Sequence, residues 1–128
     1  MREVTINLGG TELTLHATFG ASVQLAEQVY DPMGMAREMS ITDAMHSRGI
    51  NYTPKWNFNV DNVPKIIHIG LKAAGSKLTL TEVQELVFEE GFFSAQSEAT
   101  RYCTHIVGPQ PEEVIERAET ESAEPEKP

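Results

Sequence analysis

The sequence is poor in cysteine, in aromatic residues and in positive charge. Its 128 residues contain one cysteine, Cys103, and 7% aromatic residues. A single cysteine excludes an internal disulfide framework and is typical of a protein from a reducing compartment. No segment approaches the ~20 apolar residues of a membrane helix, and residues 1–10 lack the apolar run of a signal peptide. We therefore expect a soluble, cytoplasmic protein that does not bind membranes.

The shortage of positive charge restricts the class of partner. The chain carries 10 basic against 19 acidic residues, a net charge of −9. This balance argues against nucleic acid, because phosphate groups would be repelled. Residues 112–128 hold seven glutamates against Arg117 and Lys127, and this segment has too few apolar side chains to offset its ordering entropy. We predict one globular domain over residues 1–110 and an acidic, disordered tail over residues 111–128.

The N-terminal residues alternate between apolar and polar side chains, which predicts a β-hairpin over residues 3–16. Gly9 and Gly10 supply the positive φ angles of a two-residue turn. That turn places Ile6 opposite Leu13 and makes one face of the hairpin largely apolar. A lone hairpin is marginal in water, so we expect this face to pack on helices.

The rest of the domain reads as short helices with clear ends. Gly75 is expected to close one helix and Gly91 another, while Thr79 and Glu82 form a capping box. The fold class is therefore α+β, mainly α, with the hairpin packed on a bundle of four to five short helices. The predicted helices span about residues 20–30, 32–47, 62–74, 80–90 and 94–107, and residues 48–59 are predicted to form a loop.

Three finer expectations concern these helices. In the first, Val23, Ala26 and Val29 form the predicted buried stripe. In the second, Ile41–Asp43 is a candidate break. In the third, Asp61 is a plausible N-cap.

No catalytic, cofactor or metal site is predicted. The four histidines do not pair at the spacings that zinc or iron sites use. Cys103 lies within a predicted helix without a catalytic signature around it and is interpreted as a buried structural thiol. Glu82, Glu85 and Glu89 run along the exposed side of one helix and are interpreted as a solvated face. The chain is therefore not expected to be an enzyme.

Two groups of side chains are candidates for binding a protein partner. Methionine is flexible and polarizable, which suits surfaces that bind varied apolar partners, although it also fills gaps in cores. Aromatic side chains on a loop anchor many interfaces, but they also fold back as a lid on their own domain. Both interpretations stay open for each group. The candidate residues are Met33, Met35, Met39, Met45, Trp56 and Phe58, and Phe92 and Phe93 are further candidate residues.

The order of these segments resembles a known family. A short strand pair with a glycine turn (INLGGTELTLHATFG) precedes a helix, then IIHIGLKAAG, then LTLTEVQELVFEEG. This arrangement is similar to the small tail proteins of gene transfer agents and siphophage-like prophages, described as tail assembly chaperones or tail tube-associated proteins. The resemblance covers roughly Val4–Gly108, and its best-matching block is Ile66–Gly91.

The resemblance implies a role in tail morphogenesis without catalytic residues. Tail assembly chaperones bind the long helical tape-measure protein before the tube polymerises around it, which requires an apolar groove that accepts helices. The alternatives are a structural tail protein, such as a tube or terminator component retained in the particle, and a regulatory protein-binding module. A tube subunit needs long strands that join in a ring, so the single short hairpin favours the chaperone.

Overall fold

The computed structural model describes residues 2–108, and the predicted tail over residues 111–128 lies outside them. Within this range the chain has the predicted fold class, α+β and mainly α. An antiparallel two-stranded hairpin is followed by five helices. The elements are β1 (Arg2–Leu8), β2 (Thr11–Ala17), α1 (Phe19–Gln28), α2 (Pro32–Ser47), α3 (Asn62–Ala73), α4 (Leu80–Glu90) and α5 (Phe92–Val107).

The hairpin has the predicted register. Ile6 lies opposite Leu13, and Gly9 and Gly10 take φ angles of +56° and +81° in the turn. Its inner face is buried, with Leu15 at 0% exposure. These side chains pack against the helices, as expected for a hairpin too small to be stable alone.

Helix α3 lies at the centre of the fold and contacts β2, α1, α4 and α5. Ile66 and Ile67 of α3 are completely buried. Gly70 lets α3 approach the hairpin closely: a Cβ at this position would lie 2.8 Å from the Leu15 side chain and 2.9 Å from that of Tyr102. The core is therefore built around the contact between α3 and the hairpin.

The ends of α3 and α4 confirm the predicted capping. Gly75 follows α3 with a φ of +84°. Thr79 and Glu82 form the capping box at the start of α4, since the Glu82 amide donates to Thr79 Oγ1 (3.2 Å) and the Thr79 amide donates to Glu82 Oε1 (2.9 Å). Gly91 ends α4, and α5 begins at the next residue, two residues earlier than predicted.

The predicted buried stripe of the first helix is wrong at Val23 and Ala26, whereas Val29, the C-cap residue, is half-buried against the core. The buried residues of α1 are Ala21 and Leu25, whereas Val23 is 40% exposed and Ala26 is exposed. The Ala21 amide donates to Thr18 Oγ1 (3.0 Å), so Thr18 caps the helix. Two apolar stripes are available on this short helix, and packing against α3 and β2 selects the one that contains leucine.

Two further expectations are corrected. Helix α2 is continuous from Pro32 to Ser47; Thr42 lies inside it and donates its hydroxyl to the Glu38 carbonyl (2.7 Å), so the predicted break at Ile41–Asp43 is absent. Asp61 has helical backbone angles and makes no capping hydrogen bond; its carboxylate pairs with Lys65 (3.0 Å). Asn59 caps this end instead, since its side chain accepts from the Asn62 amide (2.8 Å).

Candidate partner-binding surfaces

Cys103 is buried, as the sequence predicted. Its sulfur lies 3.8 Å from that of Met35, and the residue is 3% exposed. Burial raises the pKa of the thiol to about 12, so the nucleophilic thiolate is scarce at neutral pH. Among residues 2–108, no group of three or more His, Cys, Asp or Glu side chains is placed to hold a metal ion.

The four candidate methionines do not share one surface. Met33 is 62% exposed, Met35 is completely buried, and Met39 and Met45 are half-buried. The contact between α2 and α5 turns Met35 into the core against Cys103. Met35 is therefore not part of a binding surface. For this residue the other interpretation applies, in which methionine fills a gap in the core.

The candidate aromatics of the loop pack on one another. Trp56 stacks on Tyr30 with ring centroids 5.9 Å apart, and Phe58 meets Trp56 edge-on at 4.8 Å. Trp56 and Phe58 are half-buried and pack against the core. Together with Met39, these two aromatics line a cleft of about 210 Å³ between α2, the loop and α5. The loop thus folds back on the domain as a lid, and the cleft beneath it is small.

A buried carboxylate that the sequence analysis missed holds this loop in place. Glu38 is 4% exposed, and its Oε1 accepts hydrogen bonds from the Lys55 amide (2.7 Å) and the Tyr52 hydroxyl (2.9 Å). The bond from Lys55, with that from Tyr52, holds the pKa of Glu38 below its ordinary value of 4.5. The sequence contained one signal for this role, a charged residue next to Met39 and three residues after Met35 in α2.

Glu38→Gln is expected to lower the melting temperature by a few degrees at neutral pH. Because the pKa is lower in the folded state, the carboxylate contributes stability above pH 4.5 that disappears as the pH falls through the folded-state value. The difference between the variant and the parent should therefore shrink in acid. Thermal unfolding followed by circular dichroism at neutral pH and below pH 4.5 measures it.

Glu27 is exposed on α1, so Glu27→Gln is the matched control. It should leave the melting temperature unchanged at both pH values. A Glu38→Gln difference that stays constant as the pH is lowered from neutral to well below 4.5 would contradict the assigned role.

Two strongly exposed aromatic side chains lie close together where α4 meets α5. Phe93 is 90% exposed and Phe88 is 74% exposed. Phe92 is half-buried and meets Phe88 edge-on, with ring centroids 6.2 Å apart. We call Phe88, Phe92 and Phe93 the aromatic corner. Phe88 was not among the predicted candidates. It lies between the buried Val87 and the exposed Glu89, so its place in the sequence did not distinguish a core residue from a surface residue.

Comparisons of the chain with protein-family models, with curated proteins and with solved structures find no match. Within the residues that the structure describes, no helix has both the length and the apolar character needed to cross a membrane. The exposed surfaces described above and the sequence resemblance are therefore the basis for proposing a function.

Proposed function

We propose that this protein is a non-enzymatic tail assembly chaperone of a phage-like particle, which binds the tape-measure protein in the cytoplasm. The observation that carries the proposal is the aromatic corner. Phe88 and Phe93 project from adjacent helix ends with most of their surface in water. Burying a phenylalanine side chain is worth about 1.5–3 kcal/mol, so a partner that covers both gains substantially.

The resemblance supports the choice of partner. Phe88 of the aromatic corner lies within the block Ile66–Gly91, which carries the similarity to the small tail proteins, and Phe92 and Phe93 directly follow that block. A tape-measure protein is long and helical, and its segments need apolar surfaces that shield them before the tube assembles. The acidic chain would keep such a complex soluble.

The outer edge of β1 argues against the alternative of a tube subunit. Arg101 donates to the Thr5 carbonyl (3.0 Å), and Glu98 accepts from the Asn7 amide (3.0 Å). These side chains of α5 occupy backbone groups that a strand of a neighbouring subunit would need. The hairpin is therefore poorly suited to edge-to-edge assembly in a ring.

Replacing both Phe88 and Phe93 with serine is expected to reduce co-purification with the tape-measure protein at least tenfold, since two buried phenylalanines contribute more than the 1.4 kcal/mol that a tenfold change requires. Both proteins are co-expressed, the chaperone is tagged, and the captured tape-measure protein is quantified by mass spectrometry. Phe19→Ser is the matched control, because Phe19 is 86% exposed and lies beside Ile106 at the opposite end of α5.

Unchanged capture by the double variant, or equal loss in Phe19→Ser, would contradict this role for the aromatic corner. Purified particles separate the two tail functions. A chaperone is missing from them, whereas a tube or terminator component is present by mass spectrometry. If the parent protein neither binds the tape-measure protein nor occurs in purified particles, the regulatory protein-binding module is the surviving class.

A further inference from the structure

An open groove runs along the exposed side of α4, with a volume of about 740 Å³. Leu78 and Leu86 are its half-buried apolar residues, Phe88 forms an exposed apolar wall, and Thr11 of the hairpin closes one side. It is separate from the small cleft around Met39.

The groove is lined by acidic residues and by no basic residue. Glu82, Glu85 and Glu89 lie along it at helical spacing. Glu82 is held by the capping box, whereas Glu85 and Glu89 make no hydrogen bond or ion pair with other residues of the described part of the chain. Helical periodicity places the unpaired Glu85 and Glu89 between Leu86 and Phe88 on the surface of α4. Glu82, Glu85 and Glu89 are all exposed, as predicted for a solvated face.

We propose that this groove binds an amphipathic helix whose narrow apolar stripe is flanked by lysine or arginine. The inference rests on the proposed function, and the helix would be a segment of the tape-measure protein. The lining residues of α4 run from Thr81 to Glu89, which corresponds to about 12 Å along the helix, or roughly two turns. That length admits three or four apolar side chains at i, i+3, i+4 and i+7, the anchor spacing of helix-in-groove recognition.

Charge selects this occupant over the others that the chain offers. Residues 112–128 carry seven glutamates against two basic residues, and a second copy carries the same net charge of −9. Both would bring negative charge to Glu85 and Glu89 and would be repelled. A helix with basic flanks would form ion pairs with Glu85 and Glu89 and would at the same time cover the exposed ring of Phe88.

Binding is tested with a fluorescent synthetic helix of about 18 residues, roughly five turns, that has a leucine stripe flanked by lysines. Two matched peptides accompany it: one has glutamate in place of lysine, and one has the same composition in scrambled order. Fluorescence anisotropy against the full chain should show binding of the lysine peptide alone. Its affinity should fall as salt is raised, because exposed charges are screened.

The decisive variant is Glu85→Lys with Glu89→Lys. Lysine near the C-terminal end of α4 is favourable for the helix, so the fold should persist, and circular dichroism checks this. We expect a loss of affinity of about tenfold or more, because two weak attractions become repulsions. Glu27→Lys with Asp43→Lys, which changes net charge equally on α1 and α2, should stay within about twofold.

Equal binding of the glutamate peptide, or an affinity unchanged in the Glu85/Glu89 variant, overturns the inference. Failure here is distinguishable from failure of the proposed function. If the tape-measure protein is still captured by the Glu85/Glu89 variant, the groove is not its site but the chaperone role stands. If the parent protein captures no tape-measure protein although the lysine peptide binds as described, the groove inference survives and the proposed function fails.

Discussion

Replacing Gly70 with valine is expected to lower the free energy of unfolding by about 3 kcal/mol or more, which corresponds to a melting temperature roughly 10 °C lower for a chain of this size. The reason is the contact between α3 and the hairpin. A Cβ alone would come within 2.8 Å of Leu15 Cγ and Cδ2 and 2.9 Å of Tyr102 Cε1, and valine adds two more carbons. Both neighbours are fully buried, so neither has room to move.

Urea unfolding at equilibrium measures the effect, with Gly20→Ala as the control. Gly20 is an exposed helical glycine of α1 whose added Cβ would make only an ordinary contact. Alanine there should leave stability unchanged or raise it by up to about 1 kcal/mol through helix propensity. A Gly70→Val protein as stable as the parent would mean that the hairpin does not sit on α3 as closely as described.

Tyr102→Ala should cost about 3–5 kcal/mol, the range for removing a large buried aromatic side chain. Tyr102 is 0% exposed and is the largest fully buried side chain among residues 2–108. Its hydroxyl donates to the His16 carbonyl (2.8 Å) at the end of the hairpin. Burial raises the pKa of this hydroxyl, which keeps it protonated and able to donate.

Tyr102→Phe separates packing from hydrogen bonding. It keeps the ring and removes only the donor to His16, so the expected loss is about 0.5–1.5 kcal/mol. Chemical unfolding of both variants gives the two contributions. If Tyr102→Phe were as destabilising as Tyr102→Ala, the hydrogen bond rather than the filled volume would hold α5 to the hairpin.

Local chemistry explains which parts of the fold were predictable. The hairpin register follows from the length of the Gly9–Gly10 turn, and the ends of α3 and α4 follow from Gly75 and the Thr79–Glu82 box. In each case the hydrogen-bonding groups lie within a few residues of one another. The structure confirms these features with the predicted partners.

The candidate site was less predictable, because a residue's exposure depends on what packs against it. Met33 and Met35 are two residues apart with the same side chain, yet one is 62% exposed and the other 0%. Only the contact of α2 with α5 distinguishes them. The role of Glu38 likewise depends on a loop 14 to 17 residues further along the chain.

The sequence by itself determined the α+β class, the hairpin, the helix ends and the acidic character of the chain, since these depend on local hydrogen bonding and on composition. Only the tertiary structure decided which stripe of α1 is buried, that the aromatic loop is a lid, and that Phe88 and Phe93 form an exposed corner beside a groove lined by Glu85 and Glu89. Those features arise where separate elements meet, and neighbours distant in sequence settle which side chains lose contact with water.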